Sequence, residues 1–584
     1  MNRVKKKNIL RLAAWTALAL IIAWTVTALG DEGPPRPTGL SMADLVREYQ
    51  ADVRCIQDAF HLPASAASLD KMERFQAAWL TRLRDTDFDA LDRAGKLDYL
   101  LLQNEIQRAI DGLAQQRKRV AEIERMIDFR ETILDLEQAR RRGGPIDSRA
   151  AAERLAALAA QVKQMRGRIN KVPPVVLPGL ALRASEVVRA LQGTLDGWYK
   201  YYNGYLPEFD WWVKQPYEEA RKQLEDYAKF LREEIAGQKG KSDDPLVGQP
   251  IGRESIAADI RCEFLPCTAE ELIAIGEHEL VWCEGQMREA SRQMGLGDDW
   301  KAALAKVKAD FVPPGRQAEL IAEIGREATA FAQQRQFVTV PALCRETWGL
   351  HMMSPEALKT VPYAAYSRPQ MMVAYARQDM PQDDKLMVMR GNNRHFMRLV
   401  TAHELIPGHH LQNFYAARYN THRAAFSTPF YGEGWAFYWE LRLWDLGWAK
   451  TPEDRIGMLF WRMTRAARII VSLKYHLGRM TPEEMVEFLI DRVGHEKFGA
   501  TAEVRRFIAA SPLYQAAYMI GGLQLYALHN ELVGVGKMTE QRFHDAVLKD
   551  GPIPIEFLRA DLQGLSLSRD MKPTWKFSDE AMRP

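Results

Sequence analysis

Cysteine is scarce in this sequence, an excess of one charge is absent from its body, and long apolar runs are confined to one place. Five cysteines in 584 residues (Cys55, Cys262, Cys267, Cys283 and Cys344) are too few, and odd in number, for a fold stapled by disulfides. Cys262 and Cys267 are spaced either to pair in an oxidising compartment or to remain thiols. The formal net charge of +3 arises in residues 1–30, where Arg3, Lys5, Lys6, Lys7 and Arg11 stand without an acid. The remainder carries 74 basic and 76 acidic residues, which leaves no electrostatic footprint for nucleic acid. At 47% hydrophobic and 27% charged, the composition excludes a disordered or collagen-like chain. A single long apolar run excludes a multi-span membrane protein. No internal repeat or low-complexity tract is present.

That run is Leu12 to Leu29, eighteen residues without a charge, followed by the Pro- and Gly-rich linker GDEGPPRPTG. Eighteen residues just span a bilayer, and the preceding basic cluster favours the cytoplasmic side. Ala28-Leu29-Gly30 also reads as a small-x-small cleavage site. Residues 1–30 are therefore expected to be a signal peptide or a single N-terminal membrane anchor. Either places the body outside the cytoplasm, periplasmic or secreted. No cysteine follows the run closely, so nothing there supports a lipid anchor.

Apolar positions recur at three- and four-residue spacing over 41–60, 68–84, 94–140, 147–170 and about 183–237, which is the period of helices. Pro173, Pro174 and Pro178 interrupt the pattern. The breaker-rich stretch 237–255 marks a boundary. It divides an N-terminal helical region (31–250) from a second, again mainly helical, region (251–584). FVTVPAL (337–343) and MMVAYA (371–376) read as extended segments. The expected fold class is mainly α. No motif in the N-terminal half reads as chemistry.

The chemistry lies in His403-Glu404-Leu405-Ile406-Pro407-Gly408-His409-His410. It begins like HExxH, in which two histidines one helical turn apart bind zinc and the glutamate is the general base. Here Pro407 occupies the place of the second histidine. On a straight helix His409 would lie about 9 Å further along the axis and about 240° around, out of reach of a shared ion. His410 would return to the same face but about 10.5 Å away. Pro407 cannot continue a straight helix, because it lacks an N–H and its ring clashes with the carbonyl of His403. Gly408 tolerates a sharp change of direction. Looping out Pro407-Gly408 would put His409 where the second ligand of HExxH stands.

A third ligand has to come from elsewhere. Tyr431-Gly432-Glu433-Gly434-Trp435-Ala436-Phe437-Tyr438-Trp439-Glu440 opens a helix so aromatic that it must be largely buried. A carboxylate there needs a cation or a hydrogen-bond network, so Glu433 is the candidate. Glu440, seven residues on and roughly on the same face, is placed to orient a ligand histidine from behind. His395, eight residues before His403, is a second candidate for such a role.

HExxPGHH followed by EGWAxYxE resembles the bacterial domain-of-unknown-function 885 family. That family is grouped with zinc metallopeptidases and is distantly similar to the gluzincins of the angiotensin-converting-enzyme type. The resemblance covers most of the chain after the N-terminal segment and is specific mainly over about 390–530. It implies a gluzincin-like, two-lobed helical body with a deep channel, and peptidase activity. In the family pattern the first histidine after Pro-Gly is the more constant, which favours His409 over His410. Arg468 to His476 (RIIVSLKYH) is similar to a family stretch R-L-V-V-D-x-G-x-H, with Ser472 and Lys474 replacing the usual Asp and Gly. Pro512 to Gly521 (PLYQAAYMIG) is similar to P-x-Q-A-x-x-Y-x-x-G. Pro512, Tyr518 and Gly521 match, while Gln515 and Ala516 stand one position late. Related peptidases stabilise the oxyanion with a Tyr and a His, and by that analogy Tyr518 and His476 are the candidates.

The expectation is thus a zinc-dependent peptidase acting on short peptides. His403, His409 and Glu433 would bind Zn²⁺, Glu404 would serve as general base, and Tyr518 or His476 as oxyanion donor. A strand at MMVAYA, forming a small β-element near the site, would hold the substrate backbone by its edge. Two alternatives are a metal-dependent amidase acting on cell-wall peptides and a catalytically inactive, membrane-tethered binding or scaffold protein. The intact Glu404 argues against the last.

Overall fold

Helices carry almost all of the regular structure, as the three- and four-residue apolar spacing requires. The structure, a computed structural model, describes residues 40–577 apart from 172–175, 242–243, 359–360, 362 and 510–511. The N-terminal apolar run and its linker lie outside the described residues. Among the described residues no helix is long and apolar enough to cross a membrane.

The N-terminal helices include α1 (Met42–Phe60), α2 (Ala66–Arg84), α3 (Arg93–Glu122), α4 (Ser148–Lys171), α5 (Pro178–Tyr202) and α6 (Pro207–Lys229), with a shorter helix, Arg130–Arg141, between α3 and α4. The long helix expected over 94–140 is broken in two. α3 stops at Glu122, and Ile123, Met126 and Ile127 turn inward to a separate apolar core with α4, α5 and α6. The larger core joins α1, α2 and the first half of α3 to the second half of the chain, from Ile256 to Phe577. The five cysteines are free thiols, so Cys262 and Cys267 do not pair.

The elements that position the site are α7 (Ala269–Gln293), α8 (Arg394–Glu404), α9 (His409–Ala416), α10 (Pro429–Asp445), α11 (Pro452–His476), α12 (Lys497–Ala509) and α13 (Pro512–His529). Thr428 and Thr451 start α10 and α11, each accepting a backbone N–H ahead of a proline at the first helical position. α10 and α13 are apolar around most of their circumference because both are largely enclosed. Trp435, Phe437, Tyr438 and Trp439 are essentially inaccessible, and burial stabilises each by roughly 1.5–3 kcal/mol. The two helices touch backbone to backbone at Gly434 and Gly521. A Cβ on Gly521 would meet the Phe430 carbonyl oxygen at 2.0 Å, so only hydrogen permits the approach.

A three-stranded sheet has the order β1 (Gly349–Met352), β3 (Gln370–Val373), β2 (Ala364–Ser367). β1 runs parallel to β3, and β2 antiparallel, with Tyr366 opposite Met371. Two expectations are corrected here. FVTVPAL forms no strand; Phe337, Val338 and Val340 bury in the core before the helix Ala342–Thr347. MMVAYA contributes to β3, but β3 is central and both its edges are paired, so it offers none to a substrate. β1 and β2 are the two outer strands of the sheet.

Candidate metal centre

Asn393 opens α8 by accepting the N–H groups of His395 and Phe396, each at 3.0 Å. α8 runs to Glu404, and α9 starts at His409. The helix is interrupted over four residues, Leu405–Gly408, rather than the two expected. Proline alone cannot fold the chain back tightly enough. The Gly408 N–H returns to the Ala402 carbonyl at 3.0 Å, and the Trp435 indole N–H holds the Pro407 carbonyl at 2.9 Å. A Cβ on Gly408 would lie 1.8 Å from the His403 carbonyl oxygen. Glycine is therefore demanded by close approach; its φ of −79° is ordinary.

This fold-back brings His403 and His409 together, with ring centroids 4.8 Å apart and planes at 89°. Glu433, in the first turns of α10, meets both. Its Oε2 is 3.2 Å from His409 Nε2 and 3.7 Å from His403 Nε2. The other ring nitrogens are engaged from behind. His403 Nδ1 lies 2.7 Å from Glu440 Oε1, itself 3.2 Å from Arg465 Nη2. His409 Nδ1 faces Gln412 Oε1 at 3.4 Å, and Gln412 donates to the Tyr431 carbonyl at 3.0 Å. Both imidazoles thus turn Nε2 toward Glu433.

His410 points elsewhere. Its Nε2–H donates to the Cys344 carbonyl at 2.9 Å and its Nδ1 faces the Tyr366 hydroxyl at 3.2 Å. His395 also plays no part at the centre; it bridges Asp454 (2.7 Å) and Asp310 (3.1 Å) at the start of α8.

The donor set fits a small divalent ion. Bonds of about 2.0–2.1 Å in a tetrahedron separate neighbouring ligand atoms by about 3.4 Å, and the two Nε2–Oε2 separations bracket that value. Glu404, His403 and His409 also bring ligand atoms within 4.8 Å of one another, so Glu404 stands at the same spot. Burial opposes a charge on His403, but Glu433, Glu440 and Glu404 raise its pKa to about 9. Burial likewise opposes charge on Glu433, yet hydrogen bonds from both histidines hold its pKa well below the usual carboxylate range. If the centre holds zinc, replacing Glu440 with glutamine should weaken its affinity about 10–100-fold, measured by chelator competition; unchanged affinity would show that Glu440 does not set the orientation of His403.

The centre opens into a cavity of about 530 Å³. Ala364, Ala365 and Tyr366 of β2 form part of its wall, together with Tyr514 and Tyr518 of α13. Tyr518 stacks near His403 at 6.2 Å between centroids. Burial, followed by the charge of Glu433, raises its pKa, so it stays a phenol. The Tyr514 hydroxyl donates to Glu433 Oε1 at 2.5 Å. Tyr514 escaped the motif reading, although it precedes Tyr518 by four residues and so shares its helix face. Arg465, Arg468, Glu503 and Arg506 line the same cavity. Only Arg468 lay within a motif; the i, i+3 spacing of Arg465 with Arg468 and of Glu503 with Arg506 was the available signal.

One expected site residue is not brought to the centre. His476 lines a neighbouring cavity, and its Nε2–H donates to the Phe507 carbonyl at 3.2 Å. Burial lowers its pKa to about 4. Eight residues from Arg468 on one helix is about 12 Å along the axis, which carries it past the cavity. Ser472 and Lys474, the departures from the family stretch, also lie apart from the centre. They contact the Pro512 carbonyl and Glu277 respectively.

The molecule is therefore a large, mainly helical protein built around a buried histidine–carboxylate centre. The chain belongs to the bacterial proteins of unknown function DUF885, whose family model matches residues 55–562. Among the solved structures that share the fold are two from bacteria. One is from Shewanella oneidensis, classed provisionally as a lipoprotein and of unknown function. It is 17% identical with a TM-score of 0.67, over 90% of this chain and all of that one. The other, from Colwellia psychrerythraea and likewise provisionally a lipoprotein, is 16% identical with a TM-score of 0.57, over 90% of this chain and 99% of that one. No curated protein matches the chain.

Proposed function

We propose that this protein is a zinc-dependent peptidase that cleaves short peptides outside the cytoplasm. The observation that carries the reading is the approach of His403 Nε2 and His409 Nε2 to one oxygen of Glu433, with Glu404 beside them at a cavity wall. Two imidazoles and a carboxylate suit zinc. When bound, such an ion polarises a carbonyl and acidifies a water. Glu404, at the last turn of α8, takes the proton of the attacking water and passes it to the leaving amine. Tyr518 donates its phenolic proton in a hydrogen bond to the developing oxyanion, a contribution of roughly 3–4 kcal/mol. The outer strand β2 holds an extended substrate through main-chain hydrogen bonds. A cavity of this size suits a few residues, not a folded protein. The basic-then-apolar N-terminus supports an extracytoplasmic, membrane-tethered location, as does the provisional lipoprotein class of the two structural relatives.

Metal content and hydrolysis of a quenched peptide library test this reading. His409→Ala should lose bound zinc and turnover together, while His410→Ala should keep about one zinc per chain. The reverse order would overturn the ligand assignment. Zinc bound without turnover on any peptide would favour a scaffold, and cleavage confined to wall-derived peptides would favour the amidase.

A further inference from the structure

The cavity wall next to Tyr518 holds more positive charge than hydrolysis requires. The guanidinium groups of Arg465 and Arg468 each sit 4.7 Å from the Tyr518 ring centroid, and Arg506 joins them at the cavity. Their side chains are 6%, 4% and 22% exposed. Two carboxylates answer these three cations. Glu440 pairs with Arg465 at 3.2 Å, while Glu503 is shared by Arg468 at 2.7 Å and Arg506 at 3.0 Å. Glu433 is already engaged, by Tyr514 on one oxygen and the histidines on the other. Glu404 stands beside the histidines.

Once an ion at the histidines is balanced by Glu433 and Glu404, one positive charge of the arginine cluster is left over, and hydrogen-bond donors are left over with it. Arg468 Nη1, Arg465 Nε and Arg506 Nε are shut away from solvent without a partner. A buried donor left unmet is costly, and an unneutralised buried charge costs more. Burial first, then the neighbouring Arg506 and Arg465, lower the pKa of Arg468 against the pull of Glu503. An anion entering the cavity would neutralise the surplus charge. A carboxylate is the planar partner that a guanidinium fork fits.

Resting on the peptidase reading, we propose that Arg468, supported by Arg465 and Arg506, anchors the C-terminal α-carboxylate of the substrate, which makes the enzyme a carboxypeptidase. From the His403 ring to Tyr518 is 6.2 Å and from Tyr518 to Arg468 is 4.7 Å. Together they span no more than about three extended residues. The scissile bond therefore lies one to three residues before the chain end. Hydrolysis adds the oxygen of one water to the acyl carbon and a proton to the leaving amine. The released fragment carries the anchored carboxylate away.

Calorimetric titration of the zinc-loaded Glu404→Gln protein with N-acetyl-trialanine, as the free acid and as the C-terminal amide, tests the anchor without turnover. The acid should bind at least about tenfold more tightly. Adding Arg468→Met should bring the two within about twofold of each other while zinc content holds. Equal binding of acid and amide, or a preference that survives Arg468→Met, would overturn the proposal. A C-terminally amidated peptide with an internal glutamate that binds as tightly as the acid would assign the arginines to an acidic side chain instead, and also overturns it. Should Arg468→Met fail to fold, mass spectrometry of hexa-alanine digests by the unmodified protein decides. Loss of one to three C-terminal residues, blocked by amidation, supports the anchor; internal cleavage indifferent to amidation rejects it. Preference for the acid without cleavage of any peptide would overturn the peptidase reading and leave the anchor standing.

Discussion

Glu404→Gln should reduce peptide hydrolysis by about 10²–10⁴-fold while leaving one zinc per chain in place. The amide keeps the shape of the carboxylate but cannot accept a proton, so the water is no longer deprotonated in step with attack. At 25 °C such a loss corresponds to roughly 3–5 kcal/mol of transition-state stabilisation. Elemental analysis beside initial rates separates two roles. Glu404 and Glu433 both stand beside the histidine pair, and either carboxylate offers an oxygen to an ion. If Glu433 is the ligand, zinc survives Glu404→Gln and only the rate falls. If zinc is lost along with the rate, Glu404 is itself a ligand. A variant with full activity would remove Glu404 from the reaction altogether.

Gly408→Ala is the second change with a large expected effect. The added methyl would meet the His403 carbonyl oxygen at 1.8 Å, its carbon at 2.5 Å and the Ala402 carbonyl oxygen at 2.7 Å. All three are backbone atoms of the helix that carries the first ligand, so no side-chain rotation relieves the clash. The fold-back has to open, and His409 leaves Glu433. We expect a destabilisation of about 3 kcal/mol or more, read by chemical denaturation, and loss of stoichiometric zinc. Gly432→Ala is the control. Gly432 lies within α10 with nothing within 4 Å of its built Cβ, so alanine there should be neutral or stabilise by up to about 1 kcal/mol. A Gly408→Ala protein with normal zinc and normal stability would show that the tight turn is not needed.

Much of the helical architecture is legible in the chain because it depends on local period. The helices over 42–60 and 66–84 follow their apolar spacing closely. The break inside 94–140 does not, since it is imposed by Ile123, Met126 and Ile127 turning toward a core contributed by later helices. The strands are the least legible part. FVTVPAL has strand composition, yet its apolar residues are better satisfied in the larger core. β2, by contrast, is a short segment of mixed burial with little alternation to mark it.

By itself, the sequence determined that a helix must break between His403 and His409, and that a carboxylate in the aromatic helix after it needs a cation. Both follow from covalent geometry and desolvation, which act on neighbouring residues wherever the chain lies. Only the tertiary structure decided that His409 rather than His410 turns to Glu433, that His476 is carried past the cavity, and that Tyr514 and three arginines share its wall. Those outcomes depend on which helices pack together. Contacts between residues far apart along the chain are set by the joint burial of many side chains, which no local pattern encodes.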